Sequence, residues 1–267
     1  MPYVDLNGAH IHYTDTGSAG DAIVFSHGLL FSGDMFEAQV AHFQKLGFRC
    51  ITFDHRGQGQ SGVTQSGYDM DTLTDDAAQL IGHLDAAPCH FAGVSMGGFV
   101  GMRLAARRAD LLKSVILIET SADPELQENQ SKYRQLNFVA RWIGLWAVIS
   151  KVMPIMFGQS FLNDATRDAE RARWKKAIIG NHRIGITRAV KGVIDRAPIH
   201  KELGEIVIPA LVIVGEEDVA TVPAKAERIK AATPGAQLVR LPRAGHSATI
   251  EEPDAVNAAM QAFLDRI

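Results

Sequence analysis

The sequence predicts an α/β fold: a mostly parallel, eight-stranded sheet flanked by helices, with one helical cap insertion. Three observations lead there. Short apolar runs alternate with helix-patterned stretches in both halves of the chain, as β-α-β units require. Asn7-Gly8 joins the first two runs, a strong hairpin signal that puts an antiparallel pair at one edge. The rhythm stops at Thr120 and resumes near Ile208, and residues 121–205 hold 14 Lys+Arg against 9 Asp+Glu, while the rest of the chain holds 13 against 21. A stretch with its own charge balance between two regular units reads as a cap over residues 1–120 and 206–267, which form the core.

The elements follow in order. Tyr3–Leu6 and Ile11–Thr16 are the hairpin strands, and Ala22–Ser26 is a short third run ending in His27-Gly28-Leu29-Leu30. Phe36, Val40 and Phe43 then mark one helix face. Cys50–Phe53 is a buried strand followed by the glycine-rich Asp54–Gly62 loop, which is no phosphate cradle because no helix starts until about Asp71. Asp71 or Thr72 is the expected cap of a helix whose stripe is Leu73, Ala77, Leu80, Ile81 and Leu84. The strand Cys89–Val94, a turn at Ser95, a helical run over Phe99–Ala109 and the strand Ser114–Ile118 complete the first half. After the insertion come Ala210–Val214, a helix over Val222–Ala232 with Pro223 in its first turn, and Gln237–Leu241. The closing helix shows the face Val256, Met260, Phe263 and Ile267.

Phe138 to Phe157 is the most apolar segment and includes Trp142, Trp146, Met153 and Met156. Arg141, Lys151, Gly144 and Pro154 break it up too much for a membrane span, and Pro154 should end or kink a helix. These residues are read as packing for the cap, with at least one or two of them facing a pocket beneath it.

Composition excludes several roles. Hydrophobic content of 46% and charged content of 21% are those of an ordinary globular protein. A net charge of −3 without a basic block gives no case for nucleic acid. The first residues, Met1 to Asp5, lack a signal-peptide layout, so a cytoplasmic location is expected. Cys50 and Cys89, the two cysteines, sit in apolar runs and read as free core thiols in a reducing compartment. No Cys/His spacing suits a metal, no cofactor is implied, and His10-x-His12 reads as a structural pair on one strand face.

The chemistry gathers at Gly93-Val94-Ser95-Met96-Gly97. A strand that reverses into a helix within about one residue forces its central residue to positive φ, and residues two positions away must be very small. The Met96 amide then opens a helix, where partial positive charge favours an anion. A serine hydroxyl needs a base, and the base needs an orienting acid. In a parallel sheet such groups collect past the carboxyl ends of strands. Gly215-Glu216-Glu217-Asp218 and Gly245-His246 follow the last two strands, so Asp218 and His246 are the candidates, in the order Ser…Asp…His. Glu119 and Asp123, past the sixth strand, are the alternatives for the acid.

With those motifs in place, the chain resembles the α/β-hydrolase superfamily, in its serine esterase and enol-lactonase-like branch with a helical cap. The resemblance rests on His27-Gly28, Asp54-x-Arg56-Gly57-x-Gly59-x-Ser61, Gly93-x-Ser95-x-Gly97, Gly215-x-x-Asp218 and Gly245-His246. It implies oxyanion donors at the Leu29 and Met96 amides, a mainly structural role for the Asp54–Ser61 loop, and well-separated strands for the two cysteines. The oxyanion loop departs from the His-Gly-Gly-Gly form of many lipases, and no proline follows Leu29. Ser95 stands where epoxide hydrolases and dehalogenases of this fold carry Asp, which points to acyl transfer. The expected activity is hydrolysis of small to medium, largely apolar carboxylic esters through an acyl-enzyme on Ser95. The expected pocket comprises Leu30, Phe31, Trp142, Trp146, Met153 and Val219. Lactone or carbon–carbon bond hydrolysis on the same triad is the alternative, and a non-catalytic small-molecule receptor the remote one. Enol-lactonases of this branch handle a substrate carboxylate, but Arg167, Arg171, Arg173, Lys175 and Lys176 read as a solvated helix face. The partner is a small ester or lactone, and the protein is expected to be a monomer or homodimer.

Overall fold

The computed structural model describes residues 2–267; Met1, with which the sequence-based core begins, lies outside the described residues. The first half runs β1 (Tyr3–Leu6), β2 (Ala9–Asp15), β3 (Ala22–Ser26), α1 (Glu37–Lys45), β4 (Arg49–Phe53), α2 (Met70–His83), β5 (Cys89–Val94), α3 (Met96–Arg107) and β6 (Leu112–Ile118). Five α-helices follow before the sheet resumes: α4 (Gln127–Trp142), α5 (Ile149–Met156), α6 (Gln159–Asn163), α7 (Asp168–Ile179) and α8 (Arg183–Ile194). The chain then forms β7 (Ala210–Gly215), α9 (Pro223–Ala232), β8 (Gln237–Leu241), α10 (Ala248–Glu251) and α11 (Pro253–Leu264).

The eight strands make one sheet in the order β1-β2-β4-β3-β5-β6-β7-β8. The β1–β2 and β2–β4 pairs are antiparallel, and the remaining pairs are parallel. Central strands covered on both faces read as continuous apolar runs, and alternate side chains divide between two cores. Val24, Val115, Leu117, Val212 and Val214 pack with α2 and α3. Ile23, Phe25, Ile116, Ile118, Leu211 and Ile213 pack with α1, α11 and parts of the insertion. Parallel register aligns the strand ends, so Ser26 pairs with Gly93 and Val94 with Ile118, leaving the loops beyond β3, β5, β7 and β8 at one edge.

Two expectations are corrected. The cap of α2 is Asp69, whose extended backbone lets its carboxylate accept from Thr72 N, so the helix opens earlier than Asp71 or Thr72. Ile267 lies past the end of α11 and is exposed, whereas Leu84, the C-cap of α2, packs against the same core as Leu73, Ala77, Leu80 and Ile81. Pro154 lies within α5, and the helix ends two residues later at Met156. Cys50 and Cys89 are free and buried, and burial pushes both thiols up to about 12. No helix among the described residues is long and apolar enough to cross a membrane.

Candidate active site

Ser95 sits between β5 and α3 with φ 50° and ψ −106°. A positive φ at a residue with a Cβ costs on the order of 1–3 kcal/mol and persists only when its surroundings over-determine it. Those surroundings are close. Ser95 N donates to Ile118 O at 2.9 Å, and Thr120 Oγ1 donates to Ser95 O at 2.9 Å. The flanking glycines are dictated by space: a Cβ on Gly93 would lie 2.2 Å from Gly97 O, and one on Gly97 would lie 2.0 Å from Ser26 O.

The loops after β7 and β8 bring two partners to this serine. His246 Nε2 lies 2.8 Å from Ser95 Oγ, and His246 Nδ1 lies 2.8 Å from Asp218 Oδ2. All three residues are buried. Asp218 also accepts from Ala220 N, Thr221 N and Thr221 Oγ1 at 2.7, 2.9 and 2.6 Å. Because this carboxylate accepts so many bonds, its second oxygen is fixed on the imidazole. Glycines again permit the approach, since a Cβ on Gly215 would meet Ala244 O at 2.0 Å.

Burial alone would raise the Asp218 pKa, yet the His246 charge and the hydrogen bonds from His246, Glu119 and Thr221 hold it well below the usual carboxylate range. Glu119 behaves oppositely. It is fully buried with φ 45°, and burial followed by the neighbouring Asp218 charge drives its pKa well above the ordinary value. Its Oε1 accepts from Gly215 N at 2.7 Å, while its Oε2 has no conventional hydrogen-bond partner and lies beside Asp218. Two adjacent buried carboxyls do not both ionise. Asp218, with three donors besides the imidazole, keeps the charge, and Glu119 keeps a proton it can share with Asp218. Asp123, the other alternative for the acid, is held instead by Arg228 and by His200 at 2.6 Å.

The loop after β3 lies beside the serine and is held from below. His27 Nδ1 donates to Gly28 O at 2.7 Å, which leaves Nε2 to accept from His55 N at 2.9 Å. Leu30, at φ 75°, turns its N–H to Gln58 Oε1 at 2.9 Å. Neither Leu29 N nor Met96 N donates to another group among the described residues. Gln58 belongs to the Asp54–Ser61 loop, which is itself fixed by Asp54 accepting from Gly33 N and Gln60 N and by a buried Arg56–Asp76 pair.

A cavity of about 140 Å³ opens onto Ser95, His246, Leu29 and Leu30. Its walls are apolar, from Leu136 and Ala140 on α4, Leu145 and Val148, Val152, Ile155 and Met156 on α5, and Ile186, Val190 and Ile194 on α8. At one side Glu125, Tyr133 and Arg196 form a polar wall. Arg196 Nη1 donates to Glu125 Oε2 at 3.0 Å, and its guanidinium lies 4.4 Å from the Phe99 ring centre.

Most of the expected pocket residues fall elsewhere. Leu30 is on the wall, but Trp142 and Trp146 are 68% and 64% exposed and point away from the cavity lining, as does Val219. Met153 packs into the core behind the wall, because its neighbours Val152, Ile155 and Met156 occupy the inward face of α5. Phe31 is buried against Phe157 and Trp174, with ring centres 6.1 and 5.7 Å away. The sequence reading missed Gln58, Thr221, Glu125, Tyr133 and Arg196. Of these only Thr221 carried a local signal, a threonine three residues after an aspartate at a turn.

Comparison with known proteins follows the same outline. A family model described as "Alpha/beta hydrolase family" matches residues 23–259. A putative non-heme bromoperoxidase, BpoC, of Mycobacterium tuberculosis strain H37Rv is 31% identical over 260 residues, covering 95% of this chain and 97% of that protein. The enol-lactonase from Burkholderia xenovorans LB400 superposes with a TM-score of 0.92 at 31% identity, over 99% of this chain and 100% of that one. A thermophilic esterase from Thermogutta terrifontis gives a TM-score of 0.89 at 26% identity, over 99% and 98% of the two chains.

Proposed function

The chain belongs to the alpha/beta hydrolase family, and from that premise we propose that it is a serine hydrolase of small to medium, largely apolar carboxylic esters. The observation that carries this reading is the Ser95–His246–Asp218 hydrogen-bonded series at the mouth of an apolar cavity. His246 takes the Ser95 proton as Oγ attacks the ester carbonyl, and Asp218 fixes the imidazole tautomer and stabilises its cation. The Leu29 and Met96 amides receive the developing oxyanion, each worth on the order of 10²–10³ in rate. The imidazolium protonates the leaving alkoxide. Water, deprotonated by His246, then attacks the acyl-enzyme and frees the acid.

Residues 121–205 act as the cap that excludes solvent from this chemistry. A cavity of about 140 Å³ holds a group about the size of benzene, so short acyl chains fit best. A lactone is the second reading, favoured by the likeness to the Burkholderia enol-lactonase. A substrate carboxylate, however, would find the one guanidinium among the cavity-lining residues already paired with Glu125. That pairing favours uncharged esters.

The test is covalent capture. A serine-directed p-nitrophenyl alkylphosphonate should add one adduct to the intact mass of the wild-type protein and none to Ser95→Ala. An unlabelled wild type, or equal labelling of the variant, overturns the reading. Turnover of p-nitrophenyl butyrate against an uncharged lactone and a carboxylate-bearing lactone then ranks the substrate classes.

A further inference from the structure

The aromatic residues that missed the cavity form a feature of their own. Phe138 and Trp142 lie one turn apart on the outer face of α4, 66% and 68% exposed, with ring centres 6.4 Å apart. Ile143 and Trp146, in the turn that follows, are exposed as well. Scattered apolar residues are normal on a surface, but a group containing two indoles and a phenyl marks a surface that something else covers.

The surroundings say what that is. Phe138 and Trp142 line an open groove of about 370 Å³ between α4 and α8, framed by Arg134, Arg141, Arg188 and Lys191. Asp195 is the one carboxylate engaged with these cations, shared by Arg134 and Lys191 at 2.6 and 2.7 Å. Arg188 contacts only neutral groups, Thr64 O and Gln65 Oε1. Arg141 makes no hydrogen bond among the described residues, and its Nη1 is shielded from solvent without a partner. A protein of net charge −3 therefore concentrates unneutralised positive charge around exposed aromatics.

We infer that this outer face of α4 and α8 is a docking surface for an anionic phospholipid bilayer. Indole and phenyl rings settle at the level of the headgroups, and arginine and lysine beside them bind lipid phosphates. A second copy of the chain suits the surface less well. An isologous contact would set the same four cations against their symmetry mates, with Asp195 alone to offset them. Asn137, Thr187 and Ile194 line both the groove and the active-site cavity, so the docked face is one side chain thick. The docking does not depend on the ester reading, and it is measured without turnover.

The experiment uses the full chain with vesicles of phosphatidylcholine, alone or mixed with phosphatidylglycerol, followed by co-sedimentation and tryptophan emission. Each uncompensated cation near an anionic surface strengthens binding about fivefold, so the mixed vesicles should bind about a hundredfold more tightly. Emission should shift to the blue, and added salt should release the protein. Arg141→Gln with Arg188→Gln should weaken binding by more than about tenfold, and Trp142→Ser combined with Trp146→Ser should remove most of the emission shift. Lys230→Gln, on α9, should change neither. No binding, or equal binding to the two vesicle types, overturns the inference. So does a concentration-dependent dimer in sedimentation velocity that Trp142→Ser abolishes, which would make this face a self-interface.

Discussion

Substituting each member of the Asp218–Glu119 pair by its amide gives the sharpest test of how the site is wired. In Asp218→Asn the amide can still satisfy the loop N–H groups, but its NH₂ faces His246 Nδ1 at the present 2.8 Å. The imidazole must then accept at Nδ1 and carry its proton on Nε2, which disables it as a base toward Ser95 Oγ. A rate loss on the order of 10⁴, about 5.5 kcal/mol, follows. Glu119→Gln should behave quite differently, because a neutral amide reproduces a protonated carboxyl. Its carbonyl can accept from Gly215 N, now 2.7 Å from Oε1, and its NH₂ can donate toward Asp218. The expected cost is under about 1 kcal/mol, a factor of five or less in kcat. Glu119→Ala should be worse for stability than for chemistry, since it strands the buried Gly215 N–H at about 1–3 kcal/mol. Steady-state hydrolysis of p-nitrophenyl butyrate, together with urea denaturation of each variant, reads all three. If Glu119→Gln lost as much activity as Asp218→Asn, the charge would reside on Glu119, and the assignment of proton and charge given above would be wrong.

Two further predictions follow from the fold. Burial, opposed in part by Asp21, pushes the His90 imidazole down to about 4, whereas in the unfolded chain it titrates near its ordinary 6.5. Below about pH 6.5 the unfolded state takes up a proton that the folded state refuses, so stability falls as pH drops toward 4. Between about pH 7 and 5 this one site removes about 2 kcal/mol, and His90→Asn should show a correspondingly flatter fall in urea midpoint; an unchanged slope would refute the assignment. Gly97→Ala should cost about 3 kcal/mol or more because its Cβ would lie 2.0 Å from the backbone oxygen of Ser26. Gly82→Ala, in the last turn of α2 with nothing within 4 Å, should be neutral or stabilising. Thermal melts that ranked the two alike would contradict the packing described for the serine turn.

The sheet was legible in the sequence because its central strands are covered on both faces. Ile23–Phe25, Val115–Ile118 and Leu211–Val214 are unbroken apolar runs whichever core each side chain enters. Ser95, Asp218 and His246 stood out because each lies within three residues of a glycine demanded by a backbone contact nearby. The cavity wall was not legible for the opposite reason. Phe138–Phe157 is apolar throughout, and hydrophobicity carries no direction; one residue along a helix turns a side chain by about 100°, so Met153 faces the core while Val152 faces the cavity. Arg196 and Glu125 meet across 71 residues, with no local pattern to join them. The Glu119–Asp218 neighbourhood depends on β6 lying beside β7, with Glu119 N donating to Ile213 O at 3.0 Å.

Glu251, five residues past His246, also bears on the mechanics of the insertion. Glu251 Oε2 accepts from both Gly158 N and Gly245 N, at 2.8 and 3.0 Å, so one buried carboxyl joins the chain leaving α5 to the loop that carries His246. Around it Ser247 Oγ donates to Met156 O, Ser160 bonds Glu217, and Arg167 bonds Ile250 O and Glu251 O. Lifting the insertion at this seam would break several charge-assisted bonds at about 1.5–3 kcal/mol each. It would also drag the histidine loop along. The seam therefore fixes this side of the insertion to the loop that carries His246. On α4 and α8, by contrast, Asn137, Thr187 and Ile194 border both the Ser95 cavity and the outer groove, so a ligand seated outside touches the wall of the chamber inside.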